Sequence, residues 1–259
     1  MKIAGEVVLI TGAGGGIGRA LAREARRRGA AGLILSDLPG PGLESIAAET
    51  GALAIAGDLR DPDFIPALVQ QGEAALGPIG IACANAGTAA GWIEKGIITA
   101  PGDEIWALAW EVNVLSHVRL SRAVLPGMIA RGRGHLLQTI SAAGLLTAPG
   151  AATYSATKHA ALGLAESIAI AHGKDGIGVT ALCPQGVDTA MLADVKDEAT
   201  RADGVMSAEE VAALGFDGVE AGQFLVTPHE RVRRYMMKKA GDYEGWIISM
   251  QEYKARMRR

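Results

Sequence analysis

The sequence is poor in cysteine, in aromatic residues and in net charge. Its 259 residues include 2 cysteines and 4% aromatic residues, and 25 basic against 28 acidic side chains leave a net charge of -3. Such a balance provides no field that would hold a polyanion, so we expect no nucleic acid partner. Cys83 and Cys183 stand in apolar runs typical of buried strands, which favours inert thiols over a disulfide or a metal pair.

Long uninterrupted apolar runs are also missing. A spanning helix needs roughly 18 apolar residues in succession, and the N-terminal run is interrupted by Gly5 and Glu6 before it enters a glycine-rich loop. We therefore expect a cytoplasmic protein with no signal peptide and no membrane partner. The histidines show no metal-ligand spacing, so no metal site is predicted.

Short aliphatic runs alternate with helical patterns along the chain. The predicted strands cover residues 7–11, 33–37, 53–58, 79–84, 135–140, 178–183 and 223–227. Continuous apolar strands that alternate with helices are typical of a parallel sheet covered on both faces. The sequence therefore predicts an α/β protein: a single Rossmann-fold domain with a doubly wound seven-stranded parallel sheet and helices on both faces.

A glycine-rich turn joins the first predicted strand to the first helix. Gly12, Gly16 and Gly18 give the spacing Gly-x-x-x-Gly-x-Gly, with Gly14 and Ile17 between them. In this context the glycines let a dinucleotide pyrophosphate approach the helix N-terminus. The alternative is a tight strand-to-helix turn without a ligand.

Acidic and amide side chains follow the next strands at their carboxyl ends. Asp37 stands nineteen positions after Gly18, where a carboxylate can accept the ribose hydroxyls and would repel a 2′-phosphate. Because no Arg or Lys lies beside it, the sequence favours NAD over NADP. A strand-end turn residue is the alternative.

Tyr154 and Lys158 are four positions apart on a predicted helix and so share one face. A neighbouring ammonium, with the positive charge of an oxidised nicotinamide, can lower the tyrosine pKa by about 1 to 3 from its usual value near 10. Ser141, at the end of a predicted strand, can donate to a substrate oxygen held against Tyr154. Asn113 lies in the middle of the helix predicted over 104–130 and predicts a bend or a bound water there, or else an ordinary packed amide.

These motifs together resemble the short-chain dehydrogenase/reductase family, in its NAD-dependent type with the TGxxxGxG and YxxxK motifs. TGAGGGIG, NAG, Asn113, Ser141, YSATK and PQGVDT occur in the family's order and spacing over Val7 to Thr189. The resemblance implies that Tyr154 is the general acid/base and that Lys158 binds the nicotinamide ribose. It also implies that Ser141 polarises the substrate oxygen and that Asn113 anchors a water of a proton relay.

The resemblance further implies a set of cofactor contacts, with adenine at the third strand, ribose at Asp37 and the carboxamide near Thr189. The residues are Gly12, Gly14, Gly16, Ile17, Gly18, Asp37, Asp58, Leu59, Asn85, Ala86, Gly87, Tyr154, Lys158, Pro184, Gly186, Val187 and Thr189. We expect one dehydrogenase domain over residues 1–259, with a cofactor half at about 1–135 and a catalytic and substrate half at about 136–226. A homo-oligomer, dimer or tetramer, is expected by the same resemblance.

A helical C-terminal extension is predicted at about 227–259, beyond the usual end of the family pattern. Trp246, Met250, Tyr253 and Met257 recur at helical spacing, which favours packing on the same subunit or on a partner over a ligand role. The segment holds nine Lys or Arg and four Asp or Glu, interpreted as a solvated face rather than an anion-steering one.

The expected function is an NAD-dependent oxidoreductase that interconverts a hydrophobic secondary alcohol and its ketone. The stretches expected to face the substrate have few charges and contain Trp92, Leu145, Leu146, Met191 and Leu192. The alternatives are an NADPH-linked ketone reductase and a non-catalytic NAD-sensing protein.

Overall fold

The computed structural model describes residues 1–93, 96–193, 201 and 203–257. Its strands are β1 (Val7–Thr11), β2 (Gly32–Asp37), β3 (Leu53–Ala56), β4 (Ile79–Ala84), β5 (Gly134–Thr139), β6 (Ile177–Leu182) and β7 (Leu225–Val226). They form one parallel sheet in the order β3-β2-β1-β4-β5-β6-β7. The predicted seven-stranded parallel sheet is confirmed. β7 is shorter than predicted because it lies at the edge and pairs with β6 alone.

Eleven helices are defined in the described part of the chain. They are α1 (Gly16–Arg27), α2 (Pro41–Thr50), α3 (Phe64–Leu76), α4 (Asp103–Trp110), α5 (Ser116–Ala130), α6 (Ala143–Leu146), α7 (Ala152–His172), α8 (Ala190–Ala193), α9 (Ala208–Ala221), α10 (Glu230–Gly241) and α11 (Tyr243–Met257). Within the described ranges, none of them is long and apolar enough to cross a bilayer.

Helices cover both faces of the sheet, and each face has its own hydrophobic core. Successive residues of a strand point to opposite faces, so Leu9 of β1 belongs to one core and Ile10 to the other. The Leu9 core includes residues of α3, α5 and α7, and the Ile10 core includes residues of α1, α2 and α9. Both cysteines are free and buried in these cores, and burial raises the pKa of the Cys183 thiol to about 12.

The helix predicted over 104–130 is interrupted in its middle. α4 ends at Trp110, a π-helical turn covers Glu111–Leu115, and α5 follows from Ser116. The predicted irregularity at Asn113 is therefore confirmed as a π turn, a feature that often lies at functional sites.

β1 lies between β2 and β4, so the chain changes direction across the sheet at this strand. The loops after the strands on either side of such a switch point leave toward opposite faces and open a crevice at the carboxyl ends. The topology therefore brings the predicted cofactor residues to one edge of the sheet.

The C-terminal helices pack back on the same subunit. Val232 of α10 and Trp246 of α11 are buried in one core cluster with Leu145 and Leu146. The Tyr235 and Trp246 rings lie 6.3 Å apart between centroids. The predicted extension is thus helical, while the Met257 side chain lies outside the described residues.

Candidate active site

The carboxyl ends of the strands form one large cleft of about 960 Å³. Most of the cofactor residues expected from the sequence line it, as do three of the expected catalytic residues. They are Gly12, Gly16, Ile17, Asp37, Asp58, Leu59, Asn85, Ala86, Gly87, Ser141, Tyr154, Lys158, Pro184, Val187 and Thr189. Four of the expected residues do not line the cleft: Gly14, Gly18, Gly186 and Asn113. They contact other residues of the site instead.

The glycine loop needs glycine for two different reasons. Gly12 and Gly16 have φ angles of 67° and 48°, in the left-handed region that glycine adopts at little cost. At Gly18 the reason is contact, because an added Cβ would overlap the Gly12 carbonyl oxygen and lie 2.6 Å from Nδ2 of Asn85. Gly18 thus lets the first turn of α1 pack on the loop. The loop leaves the α1 N-terminus open to the cleft, where backbone N–H groups favour an anion such as a pyrophosphate.

Asp37 closes β2 and is held by the backbone on both oxygens. Its Oδ2 accepts from the Gly14 N–H at 2.8 Å, and its Oδ1 accepts from the Leu38 N–H at 2.7 Å. Gly14 therefore reaches the site through Asp37 rather than by lining the cleft. A carboxylate fixed at the end of β2 is placed to accept further hydroxyl donors from the cleft.

Asp58 and Asn85 have neighbours that the sequence did not indicate. The Arg60 guanidinium binds Asp58, with Nη2 and Oδ2 2.5 Å apart, and this hydrogen bond lowers the pKa of the Asp58 carboxyl. Nδ2 of Asn85 donates to the Thr11 carbonyl at 3.1 Å and lies 3.3 Å from the Gly12 carbonyl. Asn85 thus ties β4 to the glycine loop as well as facing the cleft.

Ser141, Tyr154 and Lys158 come together as predicted. Ser141 follows β5, while Tyr154 and Lys158 lie on one face of α7. Ser141 and Tyr154 line the same cleft, and the Lys158 ammonium lies 5.6 Å from the centroid of the tyrosine ring. Lys158 is buried and donates to the Thr139 carbonyl at 3.0 Å.

The cluster differs electrostatically from the expectation. Burial raises the pKa of Tyr154, and the neighbouring Ser141 hydroxyl offsets part of this rise. Burial lowers the pKa of Lys158 to about 8. The chain alone therefore does not lower the tyrosine pKa, because the phenolate loses water and the ammonium is directed at Thr139. A lower Tyr154 pKa caused by the ammonium together with the charge of a bound nicotinamide stays a prediction.

Asn113 lies behind the cluster in the π turn. Its Oδ1 accepts from the Thr88 N–H at 2.8 Å, and its Nδ2 donates to the Thr88 carbonyl at 2.9 Å and to Thr157 Oγ1 at 3.0 Å. An added Cβ at Gly87 would lie 3.3 Å from Asn113 Oδ1 and 3.4 Å from Lys158 Nζ. Asn113 thus joins the loop after β4 to α7 beside Lys158, and its water-anchoring role stays a prediction.

The loop after β6 closes the site beside Ser141. The Pro184 carbonyl accepts from the Ala142 N–H at 2.7 Å, and the Gly186 carbonyl accepts from the Met206 N–H at 3.1 Å. His229 is buried, and its Nδ1 accepts from the Gln185 N–H at 3.1 Å. Gly186 therefore holds the loop in place instead of lining the cleft.

The C-terminal helices line the same cleft, which the sequence did not reveal. Beyond Tyr154 the cleft is lined by Trp92, Leu146, Met191, Leu192, Tyr235, Lys238, Trp246, Met250, Tyr253 and Arg256, together called the substrate end. The Trp92 and Tyr154 rings lie 6.4 Å apart between centroids. The sequence predicts that the apolar stripe on α11 packs on its own subunit or on a partner. In the structure the stripe packs on its own subunit and also faces the cleft.

No metal site is evident within the part of the chain that the structure describes, where no group of three or more His, Cys, Asp or Glu side chains could hold an ion. His117 and His135 are buried, and burial lowers their pKa values to about 3 and about 4. Both rings are therefore neutral at pH 7.

A doubly wound sheet with a glycine loop, an acidic β2 end and a buried Ser-Tyr-Lys cluster defines a nicotinamide-dependent oxidoreductase. The chain belongs to the short-chain dehydrogenase/reductase family. The short chain dehydrogenase family model matches residues 6–200. Members of this family act on CH–OH groups, so the chain is an oxidoreductase of that class.

Curated relatives and a solved structure agree with this assignment. The chain is 32% identical over 247 residues to 1-deoxy-11-beta-hydroxypentalenate dehydrogenase of Streptomyces exfoliatus, covering 90% of this chain and 86% of the relative. It is 36% identical over 200 residues to epidermal retinol dehydrogenase 2 of Homo sapiens, covering 74% and 63%. A short chain dehydrogenase/reductase from Burkholderia phymatum in complex with NAD superposes with a TM-score of 0.81 at 28% identity, covering 94% and 96%.

Proposed function

We propose that the protein is an NAD-dependent oxidoreductase that interconverts a hydrophobic secondary alcohol and its ketone. The observation that carries the proposal is that two hydroxyl side chains, Ser141 and Tyr154, line the same mainly apolar cleft, with the Lys158 ammonium 5.6 Å from the centroid of the Tyr154 ring. A substrate oxygen placed between these two hydroxyls can exchange a proton with one and be polarised by the other. The relatives named above are dehydrogenases of a hydroxypentalenate and of retinol, which supports an alcohol substrate.

The cofactor residues fit a nicotinamide dinucleotide. The glycine loop is tightly packed at Gly14, where an added Cβ would lie 2.9 Å from Asp37 Oδ2. It is open at Gly15, where an added Cβ would meet no atom within 4 Å, so there is space beside the loop. The glycine loop would hold the pyrophosphate, Asp37 the adenosine ribose and Lys158 the nicotinamide ribose. When bound, the nicotinamide accepts or supplies the hydride.

NAD is favoured over NADP by the charges at the ribose end. The Asp37 carboxylate would repel a 2′-phosphate. Arg60 is a cation that also lines the cleft. Because Asp58 binds the Arg60 guanidinium through Nε and Nη2, this cation is already neutralised.

Each residue of the cluster has a proposed role. Tyr154 gives its proton to the ketone oxygen or takes one from the alcohol. Ser141 donates a hydrogen bond to the same oxygen. Lys158, charged below pH about 8, would bind the nicotinamide ribose and, together with the charge of the oxidised nicotinamide, stabilise the phenolate form of Tyr154. Asn113 positions the loop after β4 beside Lys158.

The test measures absorbance of the reduced nicotinamide while the protein meets NAD or NADP and a panel of apolar secondary alcohols. We expect turnover with NAD, and a loss of about 100-fold or more in Tyr154→Phe because the proton transfer is removed. Tyr243→Phe, at an exposed tyrosine outside the cleft, is the matched control and should keep full activity.

Asp37→Ala tests the cofactor choice. Removal of the carboxylate should lower the preference for NAD over NADP, whereas an unchanged ratio would contradict the role of Asp37. Tight NAD binding without turnover across the panel would instead favour the NAD-sensing alternative.

A further inference from the structure

α10 is held over the substrate end by specific polar contacts, and α11 packs on α10 through the Trp246 and Tyr235 rings. Nζ of Lys239 donates to the Leu145 carbonyl at 2.8 Å. Arg231 and Tyr235 bind Oδ1 of Asp203 at 3.1 Å and 3.2 Å. These contacts tie α10 both to the segment after β5 and to the segment before α9. The two helices are therefore a fixed part of the cleft lining.

Most of the surface that the helices present to the cleft is apolar or aromatic. Trp246 is buried, and Tyr235, Met250 and Tyr253 are half-buried along the cleft. Such a surface suits the hydrocarbon body of a ligand, whose orientation is then set by a few polar groups.

Two of the cations on these helices also line the cleft. They are Lys238 of α10 and Arg256 of α11. Neither forms an ion pair or a side-chain hydrogen bond with any residue in the described ranges. The neighbouring Asp203 carboxylate is 3% exposed and is paired with Arg231, so it does not neutralise them. The apolar substrate end thus carries two available positive charges from two different helices.

We propose that the substrate carries a carboxylate on the part of the molecule that faces α10 and α11, bound by Lys238 and Arg256. An ammonium and a guanidinium both bind carboxylates through charge-assisted hydrogen bonds, and the guanidinium can do so with two parallel bonds. Both cations are exposed residues at the cleft, so the attraction is screened by salt as in other solvated ion pairs. The inference rests on the proposed function and narrows its substrate class from hydrophobic alcohols to hydrophobic hydroxy acids.

The test compares acids with their neutral esters. Ring-hydroxylated alicyclic carboxylates of one, two and four saturated rings are offered with NAD, each beside its methyl ester. We expect the wild-type protein to prefer the acid of at least one pair by about tenfold or more in kcat/KM, the size of one charged hydrogen bond. The preference should fall as salt is added, because the cations are exposed.

Two variants and a control locate the effect. Lys238→Gln and Arg256→Gln should each raise KM for the preferred acid by about tenfold, with kcat and the ester unchanged. Arg233→Gln removes an exposed cation of α10 that does not line the cleft. It should leave the KM values of both the acid and the ester unchanged. Quenching of the intrinsic fluorescence, to which Trp92 and Trp246 of the cleft contribute, measures acid and ester binding to the NAD-loaded protein without turnover.

The outcomes separate the two proposals. Turnover of the esters with no acid preference in any pair would overturn the carboxylate site and leave the proposed function intact. A coenzyme A thioester preferred over its free acid would overturn it as well, because the charge recognised would be phosphate. Absence of turnover with every alcohol would refute the proposed function, and the fluorescence titration would still decide whether the acid binds better than the ester.

Discussion

Replacement of the buried Lys158 by methionine should make the cofactor-free protein more stable while abolishing activity. Burial lowers the pKa of Lys158 from 10.5 to about 8, so the ammonium is still charged at pH 7 in an environment that disfavours it. A shift of this size corresponds to about 3 kcal/mol. Methionine has a similar length and no charge, so Lys158→Met removes this cost.

The variant also loses one hydrogen bond, from Nζ to the Thr139 carbonyl, which contributes about 1 kcal/mol. The net expectation at pH 7 is a gain of about 2 kcal/mol in the free energy of unfolding, or about 4 °C in Tm. The assay is urea and thermal unfolding of the cofactor-free protein. Lys174→Met, at an exposed lysine of the short turn after α7, is the control and should change stability little.

The pH dependence gives the sharper check. Between pH 8 and pH 10.5 the folded wild-type protein releases the Lys158 proton while the unfolded chain keeps it. Wild-type stability therefore rises with pH over this window, and the advantage of Lys158→Met should shrink and reverse to about 1 kcal/mol in favour of the wild type near pH 10.5. A variant less stable than the wild type at pH 7, or an advantage that stays constant up to pH 10.5, would refute the reasoning.

Two further predictions concern the glycine loop and the buried histidines. Gly18→Ala should destabilise the protein by about 3 kcal/mol, because the added Cβ would overlap the Gly12 carbonyl oxygen and backbone cannot move aside cheaply. Gly15→Ala, whose Cβ would meet nothing within 4 Å, is the matched control in the same unfolding assay, and equal losses would contradict this account. Burial lowers the pKa values of His117 and His135 to about 3 and about 4, so stability should fall as pH drops from 6.5 toward 4 while the unfolded chain takes up their protons. His135→Gln should reduce that slope in urea titrations at several pH values, and an unchanged slope would count against it.

Local sequence was sufficient to predict the sheet and the chemical cluster. A strand buried on both faces must be a continuous apolar run, and a glycine turn must carry glycines at fixed positions, so both leave a direct pattern. Tyr154 and Lys158 share a helix face because of their spacing alone. Asn113, a poor helix former, indicated a bend or a bound water or else a packed amide, and the structure shows both a π turn and a buried, hydrogen-bonded amide.

Contacts between distant segments left no such pattern. The Asn113 amide binds Thr157, 44 positions along the chain, only because the π turn packs on α7. The electrostatic state of Tyr154 and Lys158 depends on how much water the surrounding elements exclude, which spacing does not encode.

The C-terminal extension shows most clearly which properties are local to the sequence and which depend on contacts between distant segments. Its sequence determined that it is helical and that Trp246, Met250 and Tyr253 share a face, because helical periodicity is a local property. Whether that face meets a partner, the subunit surface or the cleft depends on where α10 turns, and this is decided by contacts such as Lys239 to Leu145 that join residues 94 positions apart. The sequence alone therefore determined the reaction class, and only the tertiary structure placed Lys238 and Arg256 in the lining of the cleft.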